Sequence, residues 1–576
     1  MKIFVNGGEY NVAPNKTILE ACYSVGIELP SLCYEKSIGA IASCRVCVVE
    51  VIGRRGLVTS CNTPIAEGMQ IITNSERVVN ARRTVLELLL SDHKLNCIEC
   101  DRVHSCRLKH AAIMTRADAG HFAVDDKNNR RQLDDKYIQR DNSKCINCGR
   151  CLRVCKNFQQ VGVLGVNGRG YNAKVGCAYG KGLGAVPCIA CGQCVANCPT
   201  GALIDVSNLD ELRVKLADPD IHTVVATAPS IRVAIGERFG LPVGTNAQGK
   251  MVAALRRLGF KKVFDLDLGA DFTIMEEGAE LLERIKSGEN NPLFTSCCPA
   301  WVNYMQSYHP ELIPNVSTAK SPMGMFGALV KTYYADKAGI DPKNIYLVML
   351  MPCIAKQTEL ERLGNGDIDM VITTRSVVRL IKEGGIDFIH LPDEQFDNPM
   401  SLSSGAGLIF GTTGGVTEAA VRTVSELYLN KRMPDESIDF KAVRGDKGIK
   451  TAEVNLDGRI VKIAVVSGIA NAENLIQNIN AGKENYDFVE VMACPGGCVN
   501  GGGQPSHYGA IQDNRGNARI RAHALYSMDK YNNLRRSHEN PTIKQIYEEF
   551  LGSPNSPLAH KLLHTHYKPT AKYPSH

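Results

Sequence analysis

The chain begins in strand–turn–strand alternation, IFVNGGEYNV (residues 3–12), and passes at TILEACYSVGI (17–27) into a helical period. Residues 82–106, RRTVLELLLSDHKLNCIECDRVHSC, start as a short helix. From about residue 209 the texture changes to apolar runs alternating with helical segments. HTVVATA (222–228) reads as a buried strand, KMVAALRRLGF (250–260) as a helix, KKVFDLDL (261–268) as a strand and TIMEEGAELLERIKSG (273–288) as a helix. Three further runs, PLFTSCC (292–298), IYLVMLMPC (345–353) and FVEVMAC (488–494), end at cysteine. Such runs read as buried parallel strands, and ligands bind outside the carboxyl ends of such strands. This part of the chain is therefore α/β, with three strand ends expected to converge on one site.

At 576 residues the chain exceeds one hydrophobic core, and three or four domains are expected. No apolar run reaches the roughly 18 residues of a membrane span. No basic n-region, apolar h-region or twin arginine opens the chain, which predicts a cytoplasmic protein. The formal net charge of +6 is small for this length. A single tryptophan and no interleaved aromatic–basic tract argue against a nucleic-acid surface. The tail is locally basic (His560, Lys561, His564, His566, Lys568, Lys572) and reads as a solvated terminus.

The 22 cysteines change the picture most. Disulfide frameworks belong to small secreted domains, so clustered cysteines in a chain of this size read as metal ligands or catalysts. Cys33, Cys44, Cys47 and Cys61 are spaced C-x10-C-x2-C-x13-C and resemble a plant-type 2Fe–2S ferredoxin of β-grasp fold, with zinc as the alternative. His93, Cys97, Cys100 and Cys106 form H-x3-C-x2-C-x5-C, and one histidine with three cysteines also suits zinc. Cys145, Cys148, Cys151 and Cys155 form C-x2-C-x2-C-x3-C, and Cys188, Cys191, Cys194 and Cys198 repeat it, the second run closing in the bacterial Cys-Pro. In such twin-cluster modules the fourth cysteine of each run serves the other cluster. Cys198 is thus expected with Cys145, Cys148 and Cys151, and Cys155 with Cys188, Cys191 and Cys194. Four thiols remain at the ends of the apolar runs, Cys298, Cys353, Cys494 and Cys498, and four thiolates suit a cubane. Of the rest, Cys22 falls in an amphipathic helix and reads as core, Cys177 has no assigned role, and Cys297 directly precedes Cys298. In regular strand geometry Cys297 and Cys298 point to opposite faces, so both cannot bind one metal.

TSCCPAW (295–301), MPCIAK (351–356) and ACPGGCVNGGGQP (493–505) resemble the three signature segments of the iron-only (FeFe) hydrogenases, in the module order of the large clostridial enzymes. The resemblance implies a multidomain α+β protein. Its parts would be a β-grasp 2Fe–2S domain at 1–78, a small helical 4Fe–4S domain with one histidine and three cysteine ligands at 79–125, a twin 4Fe–4S ferredoxin domain at 126–208 and a catalytic domain at 209–576. It implies one 2Fe–2S cluster, three accessory 4Fe–4S clusters, and an H-cluster. The last is a 4Fe–4S cubane held by Cys298, Cys353, Cys494 and Cys498 and bridged to a diiron unit with carbon monoxide, cyanide and azadithiolate. It makes Cys297 the proton-delivering thiol, whose pKa surroundings can tune, and Glu277, Ser317, Glu280 and Arg284 a proton relay. Without the resemblance, Glu277, Glu280 and Arg284 are an ordinary surface pattern on one helix face. It makes Lys356, Pro229 and Ser230 cyanide partners, and places Met351 and Met492 as soft packing.

Ile354, Gln357, Met323 and Thr417 depart from residues common in relatives, at positions expected near the cluster. The implied activity is reversible reduction of protons to dihydrogen by a monomer, with electrons from ferredoxin or flavodoxin and a diiron unit installed by maturation proteins. The rivals are the catalytic subunit of an NAD(P)-linked or bifurcating complex, and a non-catalytic iron–sulfur sensor or assembly protein. The chain shows no nucleotide fingerprint of its own.

Overall fold

A computed structural model describes residues 1–122, 131–132, 136–289, 291–364, 366–505 and 513–572. The opening alternation forms the expected hairpin, Lys2–Val5 against Gly8–Asn11, turning through Asn6 and Gly7, both at positive φ. It joins a five-stranded sheet in the order Gly8–Asn11, Lys2–Val5, Gln70–Ile72, Val48–Val51, Val58–Thr59. The helix Ile18–Ser24 starts at a reciprocal Thr17–Glu20 capping box and buries Cys22 in this domain's core.

The next helix, Glu76–Ser91, is tied back to the sheet by Arg82, whose guanidinium donates to the carbonyls of Val48 and Thr73. The two cysteine repeats that follow have matching backbones. Each turns through a left-handed residue, Asn147 or Ala190, and then a left-handed glycine, Gly149 or Gly192. Short helices Arg150–Arg153 and Gln193–Asn197 follow these glycines. Between the repeats, Gly165–Asn167 pairs with Lys174–Gly176 as a hairpin. The boundary expected near residue 125 lies outside the described residues.

Residues 222–492 hold two four-stranded sheets. The first is all parallel, ordered Lys262–Asp265, His222–Thr227, Ile345–Met351, Met370–Thr373. The second runs Leu293–Phe294, Phe488–Met492, Arg459–Ser467, Ile449–Leu456, with only the last pair antiparallel. The three cysteine-ended strands are therefore divided, Ile345–Met351 in one sheet and the other two in its neighbour, and their carboxyl ends meet between the two cores.

Two strand expectations shorten. KKVFDLDL ends at Asp265, because Arg232 clamps Asp265 at 2.7 Å and Asp267 at 3.1 Å and the chain turns into helix at Asp267. That helix, Asp267–Ser287, begins six residues before the expected start at 273. PLFTSCC keeps only Leu293–Phe294 as strand. Among the described residues no helix is long and apolar enough to cross a membrane.

Candidate active site

Where the sheets meet lies a cavity of ≈ 80 Å³. Cys297, Cys298, Cys353, Cys494 and Cys498 all line it, together with Pro229, Ser230, Lys356, Met351 and Met492. Strand alternation does not separate Cys297 from Cys298, because the chain has left the strand after Phe294 and Cys298 caps the helix Pro299–Tyr308. Cys298 is held further by the Ala493 amide, which donates to its sulfur at 3.5 Å.

Of the four thiols set apart by sequence, Cys298, Cys353 and Cys494 are buried and Cys498 is partly so, and desolvation pushes all of them up, Cys353 to about 12. Each is raised further by at least one neighbour except Cys298, whose remaining influences oppose burial. Thiols crowded in apolar surroundings resist ionisation until a cation neutralises them, and a bound iron cluster supplies that charge. The donor set therefore fits the cubane the family implies.

Glycine lets backbone approach the site closely. A Cβ on Gly501 would lie 2.2 Å from the Pro352 carbonyl oxygen, and one on Gly502 would lie 2.3 Å from that of Cys191. Lys356 donates to Glu359 at 2.6 Å, to Ser321 at 2.7 Å and to the Cys297 carbonyl at 3.3 Å. The Ser230 hydroxyl receives the Gln504 amide at 3.2 Å.

Beneath Cys297 the long helix brings in Glu277, 1% exposed, with neither carboxylate oxygen in a hydrogen bond of good geometry. Burial first, then the charge of Glu280, pushes Glu277 up to about 8. One turn on, burial opposes the charge of Glu280, but hydrogen bonds from His564, Ser317 and Thr318 hold it below the ordinary carboxylate value. Burial and the nearby Glu277 push the Cys297 thiol up. Arg284 turns away from this line, donating to the Pro314 carbonyl at 3.2 Å and lying 3.5 Å from Glu289.

The tail is not a solvated terminus at His564. Its side chain is 1% exposed, 3.0 Å from Glu276 and 3.5 Å from Glu280. Polar residues dominate the tail's composition, and only the LL pair before His564 hinted that it packs.

The departures from common residues fall in different places. Met323 lines the cavity. Ile354 packs on Gly192, and Gln357 donates to the Val206 carbonyl at 2.9 Å, so both face the ferredoxin module. Thr417 donates through its amide at 2.8 Å and its hydroxyl at 2.9 Å to buried Glu490.

The other thiol sets lead toward this cavity. Cys33, Cys44, Cys47 and Cys61 interact through their sulfurs, Cys44 and Cys61 holding Cys33 down. His93 is buried with Nδ1 unpartnered. Burial, with Lys144, pushes its pKa down to about 4, so it is neutral and fit to be a ligand beside Cys97, Cys100 and Cys106. Cys145, Cys148, Cys151 and Cys198 line one cavity of ≈ 20 Å³. Cys194 faces Cys191, Cys188 and Cys155. Among the described residues, no three of these ligand atoms lie within 4.8 Å of one another. Tetrahedral zinc, with bonds near 2.3 Å, would set sulfurs about 3.8 Å apart. Cys177 is fully buried, with an Arg140 nitrogen 4.0 Å from its sulfur.

The sets are also ordered in space. The first borders the Cys148 site, where the Ser43 hydroxyl donates to the Cys148 carbonyl at 3.2 Å. The His93 set borders the same site, with Lys94 N donating to Ser143 O at 2.8 Å, Arg107 N to Pro199 O at 3.0 Å, and Cys100 packed on Gly201. Cys191 then abuts Gly502, beside the large cavity.

Clustered thiol sets running up to an apolar, thiol-lined cavity define a multicluster iron–sulfur oxidoreductase. The chain belongs to the iron-only hydrogenase family. The domain described as iron only hydrogenase large subunit, C-terminal domain, matches residues 221–502, and the iron hydrogenase small subunit matches 516–570. A 2Fe-2S iron-sulfur cluster binding domain matches 1–76. An NADH-ubiquinone oxidoreductase-G iron-sulfur binding region matches 82–119, and an NADH-quinone oxidoreductase subunit 3 ferredoxin-like domain matches 135–204. The NADP-reducing hydrogenase subunit HndD of Solidesulfovibrio fructosivorans is 46% identical, over 98% of each chain. Iron hydrogenase 1 of Clostridium pasteurianum is 40% identical, over 98% of this chain and 99% of its own. The apo form of a variant of the FeFe-hydrogenase HydA1 from Chlamydomonas reinhardtii aligns with TM-score 0.56 and 41% identity, over 64% of this chain and all of that one.

Proposed function

We propose that the chain reversibly reduces protons to dihydrogen, with Cys298, Cys353, Cys494 and Cys498 holding the cubane of the H-cluster. When bound, that group supplies an open iron position where protons and electrons combine. The protein's own residues do the rest. The apolar wall limits water, and Lys356 and Ser230 line the cavity as the polar groups that would meet the cyanides of the diiron unit. Glu280, Ser317, Glu277 and Cys297 carry protons inward, with Arg284 at the solvent end. The N-terminal sets hold one 2Fe–2S and three 4Fe–4S clusters, in domains 1–78, 79–125 and 126–208, and deliver electrons to the catalytic domain 209–576. The carrying observation is the convergence of five cysteines, Lys356 and Ser230 on one buried cavity.

Ferredoxin or flavodoxin is the proposed electron carrier. A cleft of ≈ 280 Å³ beside Cys100 supports an acidic carrier, since Arg102, His104, Arg238, Arg375, Arg379 and Lys382 line it. Of its four acidic residues, Asp205, Asp101 and Glu383 are paired with Arg375 and Arg379, and Glu99 receives the Asn96 amide at 2.8 Å. The near full-length similarity to an NADP-reducing hydrogenase subunit favours a second reading, a catalytic subunit within an NADP-linked complex. The test is dihydrogen evolution from reduced methyl viologen, on protein reconstituted with iron–sulfur clusters and a synthetic diiron complex. The parent evolves gas and Cys298→Ala does not. Silence from fully loaded parent rejects the catalytic reading and favours a scaffold or sensor. Evolution from ferredoxin by the isolated chain supports the first carrier. NADP reduction that appears only with copurifying subunits supports the second.

A further inference from the structure

The outer carboxylate of the proposed relay is tied to a histidine that the relay does not include. The C-terminal helix Pro557–Leu563 ends against the segment after Val316, where Lys320 N donates to Leu563 O at 2.7 Å and Thr565 N to Thr318 O at 2.8 Å. This docks His564 on the long helix. Its Nε2 is 3.0 Å from Glu276 Oε2, and its Nδ1 is 2.7 Å from Thr318 Oγ1 and 3.5 Å from Glu280 Oε1. Thr318 donates to Glu280 through its amide at 3.0 Å and also through its hydroxyl. A hydroxyl has one proton to give. Spent on Glu280, it leaves Thr318 Oγ1 able only to accept from Nδ1. Glu276, which also receives the Tyr547 hydroxyl and the Asn555 amide, accepts from Nε2. With the Thr318 proton on Glu280, both ring nitrogens donate and the ring is an imidazolium, the charge state that two flanking carboxylates favour.

We propose that His564 is a positioning residue of the relay, a buried cation clamped between Glu276 and Glu280 that keeps Glu280 ionised and ready to pass protons. The inference rests on the relay reading of Glu280. The charged and titratable groups around the ring are Glu276 and Glu280 on the long helix, Tyr547 behind Glu276, and His560, stacked on it at 4.3 Å between centroids. Lys320, on the facing segment, points to the Leu562 carbonyl at 2.7 Å and lies 3.7 Å from Asp367. Burial opposes the charge on His564, but Glu276 and Glu280 outweigh it and hold the ring up to about 9. Removing the cation leaves Glu280 easier to protonate and slower to release a proton to solvent.

The test compares His564→Gln, Glu276→Gln, the double variant and Glu280→Gln. Infrared titration of the carboxyl C=O band, on protein lacking the diiron unit, reads Glu280 directly, because its band is the one lost in Glu280→Gln. In His564→Gln the Glu280 band is expected to persist to a pH about one unit higher, a tenfold change in ionised fraction. The ratio of dihydrogen oxidation to evolution falls by about the same factor, because oxidation must discharge protons through Glu280. Glu276→Gln, which preserves an acceptor for Nε2, shifts both readouts the same way by less, and the double variant adds little to His564→Gln. An unmoved band, or an equal loss in both directions, makes His564 merely structural and overturns the proposal. If His564→Gln does not fold, an unmoved band in Glu276→Gln does so instead. If Glu280→Gln itself leaves turnover intact, the relay reading fails independently.

Discussion

In the proposed relay Glu277 must both hold and surrender a proton. A transfer group works best with a pKa near the operating pH, and burial together with Glu280 places this one at about 8. Glu277→Gln keeps the shape but carries no transferable proton, so evolution is expected to fall by roughly 10²- to 10⁴-fold, assayed at matched iron content. Stability moves the other way. The folded carboxyl titrates above its ordinary value of 4.5, so stability is fullest below that value and is lost as pH rises through the folded pKa. The slope is up to about 1.4 kcal/mol per pH unit. The variant escapes this loss, and its denaturation midpoint should gain on the parent's between about pH 5 and 8. A gap that stays flat would mean that Glu277 ionises as freely in the folded chain as in the unfolded one. At this scale the sequence exposed chemistry carried by residue type and spacing, such as the thiol sets. It hid His564, because a histidine among lysines looks solvated until a helix from far back along the chain offers two carboxylates.

Elements were legible where periodicity is strong and blurred where side chains decide the end of a strand. Ile345–Met351, all seven residues buried, reads as a core strand from sequence alone. The Arg232 clamp that stops a strand at Asp265 is a tertiary pairing that no local pattern carries. Alternation failed at Cys297 and Cys298 for a related reason, since Phe294 ends the strand and a helix cap places both thiols on one cavity. The glycine run after Cys498 lets two backbones approach closely. Gly502 meets Cys191 and Gly192 of the ferredoxin-like module, so it sets the spacing between two elements that electrons cross in the proposed path. Gly502→Ala forces that junction apart. Carrier-driven evolution is expected to fall at least tenfold, while exchange between dihydrogen and deuterated water, which needs no net electron flow, persists. Equal loss of both would assign the glycine a purely local role in shaping the cavity.

At the scale of the whole molecule the order of the thiol sets decides how electrons travel, and the one-dimensional sequence carried no trace of it. Both the Cys33 set and the His93 set border the Cys148 site, and among the described residues the Cys191 site is the one that borders the thiol-lined cavity. That arrangement is a fork, with two branches joining one stem. In the proposed ligation, a neutral imidazole in place of a thiolate would make the His93 branch less negative and raise its potential relative to an all-cysteine site, so the branches would differ in more than position. A fork and a single file make different demands on the same substitutions. Cys100→Ala removes one branch, and in a fork evolution driven by reduced methyl viologen, which needs no docking cleft, persists because the other branch still reaches the stem. Cys188→Ala cuts the stem, and the same assay loses nearly all of its rate, while dihydrogen exchange at the cavity survives in both variants. Electron paramagnetic resonance of each variant confirms that only the intended cluster is missing. If Cys100→Ala is as damaging as Cys188→Ala, electrons pass through the His93 site in series, and the contact between the Cys33 set and Cys148 is packing rather than a path.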